Sequence, residues 1–177
     1  MTYTQHYDSP LGGILLAADE EGLTGLWFDG QKYFARTLPK EYAESETPVL
    51  CEAKRWLDIY FSGREPDFTP PLHPVGSAFQ QVVWALLLEI PYGETTTYGT
   101  LARKLAEKQG LTHMSAQAVG GAVGHNDISL IIPCHRVVGA SGSLTGYAGG
   151  VDKKINLLEL ERADMKSFFV PKKGTAL

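Results

Sequence analysis

Short alternating stretches open the chain. Tyr3, Gln5 and Tyr7 interleave with Thr2, Thr4 and His6, a period of two that suits a strand and not a helix face. The pattern predicts three strands of an antiparallel meander over Thr2–Asp8, Gly13–Asp19 and Leu23–Phe28, joined at Ser9-Pro10-Leu11-Gly12 and Asp19-Glu20-Glu21-Gly22. Thr47 before Pro48 reads as an N-cap and first helical position: the hydroxyl accepts an orphan amide, and proline lacks the one that would go unused. That helix should run to about Phe61, with Val49, Ala53, Trp56, Leu57 and Tyr60 on one face. Cys51 falls inside it and is expected to be structural. Pro66, Pro70, Pro71 and Pro74 mark a linker, and the domain boundary is placed there.

Beyond the linker the period turns helical. Ser77–Leu88 carries Phe79, Val82, Val83, Leu86 and Leu87 at helical spacing and closes at Ile90-Pro91-Tyr92-Gly93. Thr95-Thr96-Thr97 offers caps for a helix over Tyr98–Lys108. After the turn Gln109-Gly110-Leu111-Thr112, a third helix is expected from about Met114 to Gly124. Two short helices around a glycine-bearing turn outline a helix-turn-helix, which is either a structural pair or a DNA-binding one. The third helix has little side-chain bulk, with Ala116, Ala118, Gly120, Gly121 and Gly124. Glycine costs about 1 kcal/mol against alanine inside a helix, so the thin surface needs a reason. Close packing is one reason, and approach to a narrow nucleic-acid groove is another.

His125-Asn126-Asp127 should turn the chain into Ser129–Ile132 and Pro133. Gly139–Gly150 reads as a loop of small residues with one aromatic, Tyr147, suited to a pocket wall or an ordinary hairpin. Val151–Met165 is expected as a last helix with Ile155, Leu158 and Arg162 on neighbouring turns, and with Glu159 and Glu161 as solvated charges. The Lys172-Lys173 tail is expected to be disordered. The fold class is therefore α/β (α+β). A small antiparallel sheet with a helix occupies 1–72, a mostly helical domain 73–165 and a basic tail 166–177.

Charge changes this picture little. The net charge of -4 belongs to the N-terminal part: residues 1–72 carry twelve acids against six bases, residues 73–165 eight against seven, and the last twelve residues three lysines and no acid. A near-neutral second domain permits phosphate contacts but weak electrostatic steering. Two cysteines far apart, Cys51 and Cys134, form no disulfide framework, which suggests a reducing, cytoplasmic setting. No apolar run is long enough for a bilayer, the start is not signal-like, and no Cys/His spacing suits zinc.

The candidate chemistry lies in Ile131-Ile132-Pro133-Cys134-His135-Arg136-Val137-Val138. Proline ends the apolar run and leaves Cys134 at a chain reversal. A cysteine in apolar company is most often a small core residue. A working thiol, with an ordinary pKa of about 8.5, needs a base or positive field to become a thiolate. His135 and Arg136 could supply both.

Asn126, Pro133-Cys134-His135-Arg136-Val137-Val138 and Gly146-Tyr147-Ala148-Gly149-Gly150 together resemble the O6-alkylguanine-DNA alkyltransferases, as do Phe79-Gln80-Gln81-Val82-Val83-Trp84 and Ile90-Pro91-Tyr92-Gly93-Glu94-Thr95. The resemblance is dense over about 77–162. It implies a ribonuclease H-like first domain and a winged-helix-like second one. The implied activity is irreversible, single-turnover transfer of an alkyl group from O6 of guanine, with O4 of thymine a second candidate. The implied partner is double-stranded DNA carrying O6-alkylguanine, bound in the minor groove by a monomer, with no cofactor, no metal and no membrane. Cys134 would be the acceptor, His135 its base through a water, and Glu161 the group that orients the imidazole, as in triad logic. Asn126 would brace the turn between the recognition helix and an active-site strand. Tyr98 would drive the nucleotide out and donate to the leaving guanine. Tyr147 would wall the pocket, with backbone at Val137, Ala148 and Gly149 reading the base. The thin helix, through Ala116, Gln117, Ala118, Gly120 and Gly121, would enter the groove.

Two positions depart from the family pattern. Gln117 stands where an arginine often fills the gap left by the flipped base. Asp127 stands where proline commonly follows the asparagine, which is expected to loosen the turn and place a carboxylate near DNA. Two other readings remain at this level. A cysteine hydrolase would show turnover, and the glycine-faced helix pair counts against it. A non-enzymatic DNA-binding regulator would need more base-reading side chains than the third helix offers.

Overall fold

The structure is a computed structural model that describes residues 1–171. The Lys172-Lys173 tail lies outside the described residues. The chain divides into two compact units, Met1–Gly76 with Asp127–Ile131, and Ser77–Asn126 with the rest from Ile132. The continuous stretch expected over 73–165 is thus interrupted: five residues before the Pro133-Cys134 step pack with the first unit.

In the first unit the meander forms as the alternation predicts, with β1 Thr2–Ser9, β2 Gly12–Ala18 and β3 Leu23–Phe28. A short fourth strand, β4 Tyr42–Glu44, adds parallel to β1 and was not foreseen, giving the order β3-β2-β1-β4. Three residues with no buried member carry no periodic signal. Helix α1, Pro48–Phe61, starts at the expected cap, where Thr47 accepts from the Leu50 amide. Its buried face is Leu50, Ala53, Trp56, Leu57 and Tyr60, so Leu50 replaces Val49. Tyr7 and Gln5 of β1 meet Asp58 and Lys54 of α1, which places α1 over the Ile14 and Leu16 face of β2. Cys51, expected to be structural, lies within α1 but is exposed and takes no part in its buried face.

Leu15, Ala17 and Trp27 form a second cluster covered by Ala35 and Leu38, so β2 is buried on both faces. Gly25 is required here, since a Cβ would run into the Trp27 ring. The proline linker is tied to β3: Leu23 donates to the Pro71 carbonyl (2.8 Å) and accepts from His73 (2.8 Å). Leu26 does the same for the inserted segment, donating to the Asp127 carbonyl (2.8 Å) and accepting from Ser129 (3.1 Å). Asp127 is buried, and its carboxylate accepts from Trp27 Nε1 (3.1 Å) and Arg36 Nη2 (2.5 Å). The expectation that Asp127 loosens the turn and faces DNA is corrected: the turn is pinned, and the carboxylate is neutralised by an ion pair.

The second unit begins at α2, Ala78–Leu87, with a capping box between Ser77 and Gln80. Strand β5, Thr96–Thr97, leads into α3, Tyr98–Lys108, capped by Thr97. Helix α4, Ala116–Gly124, opens at Ser115, two residues later than expected, because the serine hydroxyl caps the Ala118 amide. Strand β6, Val137–Val138, pairs parallel with β5. The last helix, α5, is Val151–Leu160 and ends five residues early. Its buried residues are Lys154, Leu157 and Leu158, whereas Arg162 is exposed beyond its end at a positive φ of 59°.

The small residues of α4 have a mixed purpose. Val119, Gly120, Ala122 and Val123 are buried, and Trp84 Nε1 donates to the Ala122 carbonyl (2.9 Å). Gln117, Ala118 and Gly121 are exposed and Ala116 half-buried, leaving one flat outer face. Gly120 offers no surface, which corrects its place among the groove-facing residues.

Candidate active site

Pro133 ends the apolar run, and Cys134–Arg136 form a single 3-10 turn that delivers its chain into β6. The stretch Ser129–Ile132 that leads into it is a series of turns, with Leu130 at φ 70°. Asn126 closes this segment: its side-chain amide donates to the Ile132 carbonyl (2.8 Å) and also hydrogen-bonds the Cys134 thiol. The turn buries all three of its side chains.

Two of them, His135 and Arg136, find their charge partner in Glu161, the residue just after α5. Glu161 Oε2 faces His135 Nε2 at 2.5 Å, and Oε1 accepts from Arg136 Nε (2.8 Å) and the Gly93 amide (3.2 Å). Arg136 also donates to the Ile90 carbonyl (2.7 Å). The position-based expectation of Glu161 as a solvated charge is therefore corrected; Glu159 is exposed. Burial alone would raise the Glu161 pKa, but the hydrogen bonds and charge of His135 and Arg136 outweigh it and bring it to about 2. Burial holds the His135 pKa below its ordinary value despite the carboxylate. At neutral pH the pair is thus a carboxylate and a neutral imidazole whose proton sits on Nε2. Nδ1 is then the basic nitrogen, and it makes no hydrogen bond to protein among the described residues.

Burial pushes the Cys134 thiol pKa up, while the Asn126 hydrogen bond and the Lys154 charge pull against it. The resting group is a thiol that must lose its proton as it reacts. Sequence reasoning missed Lys154, which is fully buried and donates to the Val137 (2.6 Å) and Thr145 (2.8 Å) carbonyls. Burial lowers its pKa to about 8, against the pull of Cys134. A signal existed: Val151, Lys154, Ile155 and Leu158 fall at i, i+3, i+4 and i+7, which sets a lysine on an apolar stripe.

Tyr98, the first residue of α3, is buried, and its hydroxyl has no hydrogen-bond partner among the described residues. Burial, and then the nearby Cys134, raise its pKa. Tyr147 stands edge-on to the His135 ring at 6.4 Å. Ala148 and Gly149 are half-buried in the turn that Gly150 closes on the Tyr147 carbonyl (2.9 Å). Val137 is buried, and Lys154 already occupies part of its carbonyl. Among the described residues no group of three or more His, Cys, Asp or Glu could hold a metal ion, and no helix is long and apolar enough to cross a membrane.

Fold and site set one buried cysteine in a small helical domain that also holds a buried histidine and its carboxylate, an arrangement suited to thiol chemistry. The chain belongs to the O6-alkylguanine-DNA alkyltransferase family: the model of the 6-O-methylguanine DNA methyltransferase ribonuclease-like domain matches residues 2–74, and that of its DNA binding domain matches 78–163. A methylated-DNA–protein-cysteine methyltransferase of Methanosarcina acetivorans is 46% identical over 160 residues, covering 90% of this chain and 97% of its own. The Haemophilus influenzae protein of the same name is 42% identical over 161 residues, with 90% and 86% covered. The crystal structure of Mycobacterium tuberculosis OGT in complex with DNA superposes with a TM-score of 0.78 at 41% identity, covering 90% of this chain and 92% of that one.

Proposed function

We propose that this protein repairs DNA by moving an alkyl group from O6 of guanine in duplex DNA to Cys134, once per chain. The observation that carries the reading is the buried Cys134 beside a His135–Glu161 pair poised with its basic nitrogen free of protein. A buried thiol cannot reach O6 within a base stack, so the target nucleotide must rotate out. As the Sγ–carbon bond forms, the carbon–O6 bond breaks and its electron pair stays on guanine. The thiol proton passes through a water to His135 Nδ1. Tyr98 donates a proton to the leaving guanine and is reprotonated by way of water from the His135 imidazolium, so the net change carries the thiol proton to guanine. A thioether has no leaving group that this site can expel, so the chain is spent.

Asn126 holds the Cys134 turn, Tyr147 walls the base pocket, and backbone at Val137, Ala148 and Gly149 reads the base edge. The exposed face of α4, with Ala116, Gln117, Ala118 and Gly121, lies in the minor groove, which admits it because the face is flat. The helix pair α3–α4 then acts as a helix-turn-helix, and the protein works as a monomer in the reducing cytoplasm, where both free cysteines persist. The test is a duplex with O6-methylguanine inside a restriction site. Cleavable DNA should plateau at one duplex per chain, whereas continued turnover would overturn the stoichiometric reading.

A further inference from the structure

We infer that the segment Met165–Phe169, following α5, is a strap that positions the loop carrying Tyr147, Ala148 and Gly149; the inference rests on the base-reading role proposed for that loop. After α5 the chain reverses at Arg162 and returns along the loop. Phe169 donates its amide to the Gly142 carbonyl (3.1 Å) and accepts from the Leu144 amide (2.8 Å), a parallel bridge centred on Ser143. Phe168 and Met165 pack on the buried cluster of Val138, Leu144 and Leu158. Gly142, at φ 89°, has no room for a Cβ, which would collide with the Ser167 carbonyl. The close approach is therefore built into the loop side as well as the strap side.

The strap acts on the loop at one particular place. Leu144 is pinned by Phe169, and the next residue, Thr145, is pinned by Lys154 Nζ (2.8 Å). Gly146–Gly149 follow at once, so two consecutive anchors set where that turn begins. Ser141, at φ 62° and unsuited to a serine, lies within the part the strap closes, so the loop holds a conformation it would leave if released. The contact is made by backbone, since the Phe169 side chain is half exposed (49%). The stretch expected to be a basic tail from residue 166 thus begins with residues that pack on the Gly142–Leu144 loop.

The backbone nature of the contact sets the test. Single-turnover transfer from an O6-methylguanine duplex is measured for Phe169→Pro, which removes the amide donor, Phe169→Ala, which keeps it, a chain ending at Met165, and a chain ending at Pro171. Alkylation of Cys134 by iodoacetamide, with its pH profile, is measured in parallel, because that reaction needs the thiol and its base but no base-reading loop. Phe169→Pro and the Met165 truncation should lose about tenfold in maximal transfer rate, as small misplacements of a reacting group do. Phe169→Ala and the Pro171 truncation should stay within twofold of the parent, and iodoacetamide rates should hold throughout. Parent-like transfer by both Phe169→Pro and the Met165 truncation overturns the strap. An equal fall in iodoacetamide rate also overturns it, by assigning the segment to the thiol. Absence of transfer in the parent overturns the reading of Cys134 itself, and the strap with it.

Discussion

Glu161 carries the heaviest electrostatic responsibility in the site, and Glu161→Gln removes its charge while keeping its shape. The carboxylate accepts from His135, Arg136 and the Gly93 amide, and its pKa falls from 4.5 to about 2 in the fold. A group with a depressed folded pKa stabilises the protein above its unfolded value and loses that contribution as pH falls through the folded one. Each tenfold step in proton affinity is worth about 1.4 kcal/mol, so the charge contributes about 3 kcal/mol at pH 7. Urea unfolding of parent and Glu161→Gln should therefore differ by about 3 kcal/mol at pH 7, on the order of 6–12 °C in Tm for a chain of this size. The gap should close between about pH 4.5 and 2. Transfer should suffer separately. A glutamine amide can donate to Nε2, moving the imidazole proton to Nδ1 and removing the base. The comparable swap in a serine-protease triad costs about 10⁴, and a loss on the order of 10²–10⁴ is expected here. A gap that stays constant from pH 7 to 2.5, or a variant that transfers at the parent rate, would refute the reasoning.

Asp127→Asn keeps an acceptor for Trp27 Nε1 but strips the charge that Arg36 pairs with, and should cost about 1–3 kcal/mol by denaturant titration. A loss under about 0.5 kcal/mol would show that the ion pair holds nothing. Lys154→Met removes the positive charge that opposes burial of the thiol, so the pH profile of Cys134 alkylation should move alkaline; an unmoved profile would contradict that electrostatic role. Gln117→Arg should tighten DNA binding and steepen the plot of log affinity against log salt by about 0.9, the value for one further phosphate neutralised. An unchanged slope would mean that position 117 does not face the duplex.

How far the sequence reached follows from the kind of signal each element carries. The meander, α1 and α3 were legible because period and caps are local: Thr47 and Thr97 sit at the helix starts they predict. Strand β4 was not, being three residues that pair by their position beside β1. Cys134, His135 and Asn126 stood out through a motif, whereas Glu161 entered only through the family resemblance; by position it read as a solvated charge, because its burial depends on where α5 ends. Lys154 and Asp127 were missed or misjudged for a related reason. A buried charge is decided by its partners, and those of Asp127, Trp27 and Arg36, lie about a hundred residues away. Gly120 shows the limit of composition: the glycines of α4 look alike in sequence, but only the helix phase separates the buried one from the exposed Gly121.

The most direct test of the account is where the alkyl group ends up. After incubation with an O6-methylguanine duplex, intact and peptide mass spectrometry should find one added methyl per chain, on the peptide carrying Cys134, and none in Cys134→Ser. A methyl on Cys51, which is exposed at α1, or DNA bound with no methyl moved, would contradict the claim that the buried thiol is the acceptor.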